Sequence, residues 1–219
     1  MTALAPWHTD FPGLLAGSVY AAPGSRLSAA QALAEADLAV HIDVMAGAEG
    51  LPDGVSLAEL RTISTAIDTR RIGVHLIGSD DFVDAVLPTV LEERPGVVFL
   101  PWQAFSAERA DAIRAIGGSA WIAVWREWDG LGDPQWPSEP DGVLVMLIEP
   151  GSRDPARLDR ISLVTACTAR LTDMPVGVDG GVTEDVAALC AAAGAGHMVV
   201  GRALLTSEPL LTSDRREAI

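Results

Sequence analysis

Three apolar stretches of this chain are interrupted by ionisable residues near their C-terminal ends. They read Leu38-Ala39-Val40-His41-Ile42-Asp43-Val44-Met45, Ile72-Gly73-Val74-His75-Leu76 and Val176-Gly177-Val178-Asp179-Gly180-Gly181. Such runs read as strands, and residues i and i+2 of a strand share a face, so His41 and Asp43 project together. Two imidazoles and two carboxylates converging on one point form a nitrogen–oxygen donor set for a single divalent cation. Any one of these residues alone reads as a buried polar group with an ordinary partner. Three equivalent interruptions, one of them double, favour the metal, because two uncompensated buried acids would be strongly destabilising.

A second signal follows the last two strands. Asp179-Gly180-Gly181-Val182 and Val199-Val200-Gly201-Arg202-Ala203 place glycines where a parallel barrel commonly turns backbone N–H groups toward a phosphate. Gly180, Gly181, Gly201 and Arg202 are therefore candidate phosphate contacts. The alternative is glycine turns that only end strands and an arginine facing solvent.

The elements that must position these groups alternate along the whole chain. Candidate strands run over Leu14–Tyr20, Leu38–Met45, Ile72–Ile77, Val97–Leu100, Ala120–Trp125, Val143–Ile148, Val176–Val178 and His197–Val200. Most are continuously apolar, as strands covered on both faces must be. Helices are expected at Ser56–Asp68, opened by a Ser56/Glu59 capping box, and at Ser79–Glu93, where Pro88 should kink or interrupt the helix. Ser106–Ile116, Asp154–Leu171 and Thr183–Ala193 complete the set, with Gly117 and Gly194 as stops. Eight such units predict one (β/α)₈ barrel domain over 1–219, strand C-termini forming the active-site mouth. Residues 127–141 hold Trp128, Trp136 and three prolines without helical periodicity, so a loop at the mouth should replace the fifth helix.

Composition narrows the chemistry. The 219 residues carry thirty acids against fifteen basic residues, a net charge of −15, which disfavours nucleic acid and anionic membranes as partners. All fifteen basic residues are arginine. Without lysine there is no Schiff-base aldolase, pyridoxal-phosphate attachment or P-loop. Two cysteines in alanine-rich helical segments, no N-terminal basic-then-apolar leader and no apolar run long enough to span a bilayer predict a soluble cytoplasmic protein. Apolar helix faces leave room for a homo-oligomer.

The islands His41-Ile42-Asp43-Val44-Met45-x-Gly, Val74-His75-Leu76, Val145-Met146 with Glu149-Pro150-Gly151, and Asp179-Gly180-Gly181-Val182 together resemble the ribulose-phosphate 3-epimerase family, in its order and near its spacing. Gly17-Ser18-Val19 resembles its first strand. The resemblance implies a (β/α)₈ fold and one divalent metal on His41, Asp43, His75 and Asp179, often zinc, with manganese, iron(II) or cobalt as alternatives. It also implies C3 epimerisation of a ketose phosphate of the ribulose 5-phosphate/xylulose 5-phosphate type through an enediolate. Asp43 and Asp179 would act from opposite faces of the sugar, one removing the proton and the other returning one. Ser18, Met45, Met146 and Gly151 would line the substrate site, along with the candidate phosphate contacts.

The chain also departs from the family. Met-Asp-Gly has become Met45-Ala46-Gly47, Ile77 replaces a methionine, and Phe99-Leu100-Pro101-Trp102 stands where a histidine and a glutamate are usual. The Pro-Gly-Phe-Gly-Gly phosphate loop reads Pro150-Gly151-Ser152-Arg153-Asp154, exchanging two glycine donors for side chains of opposite charge. These losses keep open a non-catalytic or substrate-shifted paralogue that binds a sugar phosphate or a partner protein. A metal-assisted lyase or decarboxylase ranks last, because such relatives commonly use the lysine this chain lacks.

Overall fold

In the computed structural model, which describes residues 2–207, eight parallel strands close into a barrel in sequential order. A two-stranded antiparallel sheet precedes and follows them: β1 (Thr2–Leu4) pairs with β10 (Leu205–Ser207). The barrel strands are β2 (Leu15–Ser18), β3 (Ala39–Met45), β4 (Ile72–Ile77), β5 (Val97–Pro101), β6 (Ser119–Val124), β7 (Gly142–Met146), β8 (Val176–Asp179) and β9 (His197–Val200). Each matches one apolar run of the sequence, and β9 closes the ring on β2 through Gly17 opposite Val200.

Helices α1 (Arg26–Glu35), α2 (Leu57–Ser64), α3 (Asp80–Glu92) and α4 (Ala107–Ala115) follow β2 to β5, while α5 (Ile161–Arg170) and α6 (Glu184–Ala192) follow β7 and β8. The capping box forms: the Glu59 N–H donates to Ser56 Oγ at 3.2 Å and the Ser56 N–H to Glu59 Oε2 at 3.0 Å. Ser79, Ser106 and Thr183 cap α3, α4 and α6 through the side-chain half of that pattern alone, each hydroxyl accepting from the backbone N–H three residues on. Gly117 and Gly194 end α4 and α6 with positive φ. After β6 there is no helix through residue 141, as the aperiodic sequence requires.

Two local expectations need correction, and one helix, α1, lies outside those the sequence predicts. The helix at 80–92 runs unbroken through Pro88. Pro88 and Asp84 lie on its exposed face, so the carbonyl left without an N–H partner is open to water. The helix expected from Asp154 begins only at Ile161, because residues 152–157 form an irregular segment and the Arg157 N–H is used by the Leu147 carbonyl. Finally, α1 carries almost no apolar stripe. It is held by Ser25, whose Oγ accepts from the Ser28 N–H, and by burial of Ala29, Ala30 and Leu33.

The barrel interior is filled rather than hollow. Phe99 and Trp121 occupy it with Ala16, Ala123, Leu144, Met146 and Val199. Glycine makes this filling feasible: a Cβ on Gly142 would stand 2.3 Å from the Trp121 ring, and one on Gly73 2.9 Å from Phe99. This apolar plug lies beneath the mouth and supports the polar groups above it. Among the described residues, no helix is long and apolar enough to cross a membrane.

Candidate metal centre and mouth

Strand register brings the four predicted ligands together. Asp43 on β3 lies opposite His75 on β4, and Asp179 ends β8 beside Met146 of β7. One ligand atom from each of His41, Asp43, His75 and Asp179 lies within 4.8 Å of all the others. His41 Nε2 is 3.1 Å from Asp43 Oδ1 and 3.9 Å from Asp179 Oδ2. His75 Nδ1 stands 3.5 Å from Asp43 Oδ1 and 3.4 Å from Asp179 Oδ2. The cluster is sealed from the barrel side: His41, His75 and Asp43 are buried, and Asp179 is half-buried.

The donor set fits a divalent cation on its own chemistry. His75 Nδ1 is buried without a hydrogen-bond partner although two carboxylates face it, so an interaction other than a hydrogen bond suits it. Each carboxylate divides its oxygens. Asp43 Oδ1 faces the imidazoles while its Oδ2 accepts from Ser18 Oγ at 2.8 Å; Asp179 turns Oδ2 toward them. Ser18, placed opposite His41 by the β2–β3 register, thus orients the Asp43 carboxylate.

Burial alone would raise the Asp43 carboxyl and lower the His75 imidazole, but their mutual pairing overrides it. Asp43 is held well below the ordinary carboxylate range by His41 and His75, and His75 is raised to about 9 by Asp179 and Asp43. His75 therefore holds its proton near neutrality, and a cation binding there must displace it.

The other predicted residues lie at the strand ends or in the loops that follow them. Gly180 and Gly181 adopt positive φ after β8, and Gly181 packs so closely on Pro155 and Ala156 that a Cβ would stand 2.4 Å from the Ala156 nitrogen. Among the described residues, no protein acceptor meets the N–H groups of Gly180, Gly181, Gly201 or Arg202. Gly201 is also near the metal centre, with Ser18 Cβ 4.0 Å from its Cβ position. Arg202 Nη2 donates to the Arg153 carbonyl at 3.0 Å, and Arg153 Nη2 donates to Tyr20 Oη at 3.1 Å. Met146 is buried in the interior plug, and Met45 borders a cavity of about 520 Å³ with Asp53, Gly54 and Phe82. Gly151, at φ +83°, faces Leu51, whose Cδ2 lies 3.0 Å from its Cβ position. β3 and β7 are on opposite walls of the barrel, so the loop carrying Leu51 spans the mouth.

Sequence reasoning passed over Tyr20, Leu51, Trp125 and Arg160. Tyr20 is the only tyrosine and Trp125 the last residue of a predicted strand, which are the signals available for those two. Arg160 offered none, because it lies well outside any strand end yet donates to the Met146 and Val124 carbonyls.

The sequence profile of the ribulose-phosphate 3-epimerase family matches residues 14–205, most of the chain and all eight barrel strands. No match is found among curated proteins. Among solved structures, the chain is similar to a phosphoribosyl anthranilate isomerase from Thermus thermophilus, at 17% identity, TM-score 0.60, and 87% and 88% coverage of this chain and that one. Phosphoribosyl anthranilate isomerase from Thermococcus kodakaraensis gives 12% identity, TM-score 0.59, and coverage of 87% and 89%. An orotidine 5'-phosphate decarboxylase from Pyrococcus horikoshii gives 15%, 0.55, and coverage of 86% and 89%. At these identities the likeness concerns the barrel fold.

Proposed function

This chain belongs to the ribulose-phosphate 3-epimerase family, and from that premise we propose that it is a metal-dependent epimerase inverting C3 of a ketose phosphate. The observation carrying the reading is the convergence of His41, Asp43, His75 and Asp179, with a buried imidazole nitrogen lacking a hydrogen-bond partner. These four residues would hold one divalent cation, zinc in the first instance, which when bound polarises the carbonyl and stabilises negative charge on the substrate oxygens.

The chain's own groups then divide the work. Asp43 and Asp179 come from strands separated by β2 and β9 on one side of the ring, and each keeps one carboxylate oxygen outside the four-atom cluster. One carboxylate takes the C3 proton to give an enediolate, and the other returns a proton to the opposite face. Ser18 fixes Asp43, while the Gly180, Gly181, Gly201 and Arg202 N–H groups receive the phosphate. Leu51, spanning the mouth toward Gly151, limits water at the reacting carbon.

Incubation of metal-loaded protein with ribulose 5-phosphate or xylulose 5-phosphate in deuterated water tests the reading. The expected result is deuterium at C3 and interconversion of the epimers, both lost in Asp43→Asn and Asp179→Asn. Full exchange in both variants, or none in wild-type protein carrying metal, would overturn it.

A further inference from the structure

The arginines of this chain are unevenly neutralised. Arg26, Arg61, Arg71, Arg109, Arg114 and Arg157 pair with carboxylates. Among the described residues Arg70, Arg94, Arg126, Arg153, Arg160, Arg170 and Arg202 do not, and of these Arg126 and Arg160 stand against one indole at the mouth, after β6 and before α5. Arg160 is half-buried. Its Nε donates to the Met146 carbonyl and its Nη2 to the Val124 carbonyl at 3.3 Å, so it straps the ends of β6 and β7 together. Its guanidinium carbon lies 4.4 Å from the Trp125 ring centroid, and those of Arg126 and Arg157 lie at 5.3 and 5.8 Å.

Three guanidiniums thus gather on one indole. Two acids are near: Asp159 pairs with Arg157, and Glu127 Oε2 accepts from the backbone N–H groups of Trp125 and Arg126. One positive charge is left over, on a group partly withdrawn from water. Burial, with the like charges of Arg157 and Arg126, lowers the Arg160 pKa despite those acids. The arrangement lacks an anion. The Trp125 ring supplies a further unused donor, since its Nε1 is buried with no acceptor.

Position links this group to the reaction. Val124 lies opposite Val145, which sets Trp125 beside Met146, and Met146 lies opposite Asp179. Trp125 also packs on the interior plug that contains Met146. The cationic group therefore flanks the reacting centre from the β6–β7 side, whereas the free N–H groups of Gly180, Gly181, Gly201 and Arg202 flank it from the ends of β8 and β9.

We propose that Trp125, Arg126, Arg157 and Arg160 form a second oxyanion subsite, so that the substrate is a ketose bearing an anionic group, carboxylate or phosphate, at each end. This rests on the epimerase reading of the metal centre. A guanidinium fork donates two parallel hydrogen bonds to either oxyanion, and a tryptophan wall leaves room for the intervening carbon chain.

The test compares C3 deuterium exchange for a ketose monophosphate, the corresponding bisphosphate and the corresponding phosphorylated sugar acid. Wild-type protein should prefer one doubly anionic substrate by about tenfold or more in kcat/KM, and whichever it prefers identifies the second group as phosphate or carboxylate. The preference should disappear in Arg126→Ala/Arg157→Ala, which removes two exposed side chains and spares the Arg160 strap. Equal kcat/KM in wild type, or a preference kept by the double variant, refutes the subsite. If no ketose exchanges its proton, the epimerase reading alone fails, and binding of inorganic phosphate and acetate followed by tryptophan emission decides the subsite. Binding weakened about tenfold or more in the double variant sustains it, and equal binding refutes it.

Discussion

Two histidines in successive layers of the same barrel, His75 buried and His197 half-buried, behave in opposite ways. His75 sits in the polar upper layer against Asp43 and Asp179, and its pKa rises to about 9. His197 lies below, between Phe99 and Trp121 with ring centroids 5.8 and 5.7 Å away, and its pKa falls to about 4 through burial and the nearby His41. Its Nε2 has no hydrogen-bond partner. Burial pushes both imidazoles toward neutrality, so burial does not separate them. The carboxylates do: a buried ring beside two acids becomes a place for a cation, and one among aromatic rings stays neutral packing.

The comparison can be broken in several ways. The largest effect is expected from Asp43→Asn and Asp179→Asn, which remove the groups that distinguish the upper layer. Each should lower the rate of substrate proton exchange by about 10²–10⁴-fold, read by mass spectrometry in deuterated water. Ser18→Ala leaves all four ligands in place but frees Asp43 Oδ2, so metal affinity measured by competition with a chromophoric chelator should fall about 10–100-fold.

A third test uses pH on the wild-type protein. Because the His75 pKa is raised, its proton must leave for a cation to bind, so metal affinity should climb by about tenfold per unit from pH 7 and level off above about 9. In the metal-free protein, the stability contributed by protonated His75 is full below about 6.5 and is lost as pH rises through about 9. Thermal melts without metal should show that loss.

The smallest effect belongs to the lower layer and has the opposite sign. The His197 pKa is depressed, so its contribution is present above the ordinary histidine value of 6.5 and is lost as pH falls toward about 4. Between pH 7 and 5 this amounts to about 2 kcal/mol, and His197→Leu should remove that part of the acid sensitivity in chemical denaturation. A variant as acid-sensitive as wild type would show that His197 is not held neutral.

Much of this was legible in sequence because it depends on local rules. Continuous apolar runs predict strands buried on both faces, and all eight occur. The i, i+2 spacing of His41 and Asp43 predicts that they share a face, and the aperiodic stretch after Trp125 predicts a missing helix. The failures involve groups whose partners are distant in the chain. β1 exists only because Leu205–Ser207 returns to pair with it. Residues 152–157 are non-helical because the Leu147 carbonyl takes the Arg157 N–H and Gly181 packs directly on Pro155 and Ala156. Leu51 and Gly151 are a hundred residues apart in sequence and touch only because β3 and β7 stand on opposite walls.

By itself, then, the sequence determined the barrel and the four side chains, His41, Asp43, His75 and Asp179, that it gathers at one point, since side-chain type and strand alternation are properties of short segments. Only the tertiary structure decided that His197 packs between the Phe99 and Trp121 rings. It alone also brought Arg160 to the mouth beside Trp125. Those outcomes depend on strand register and on how the barrel closes, and no short segment encodes either.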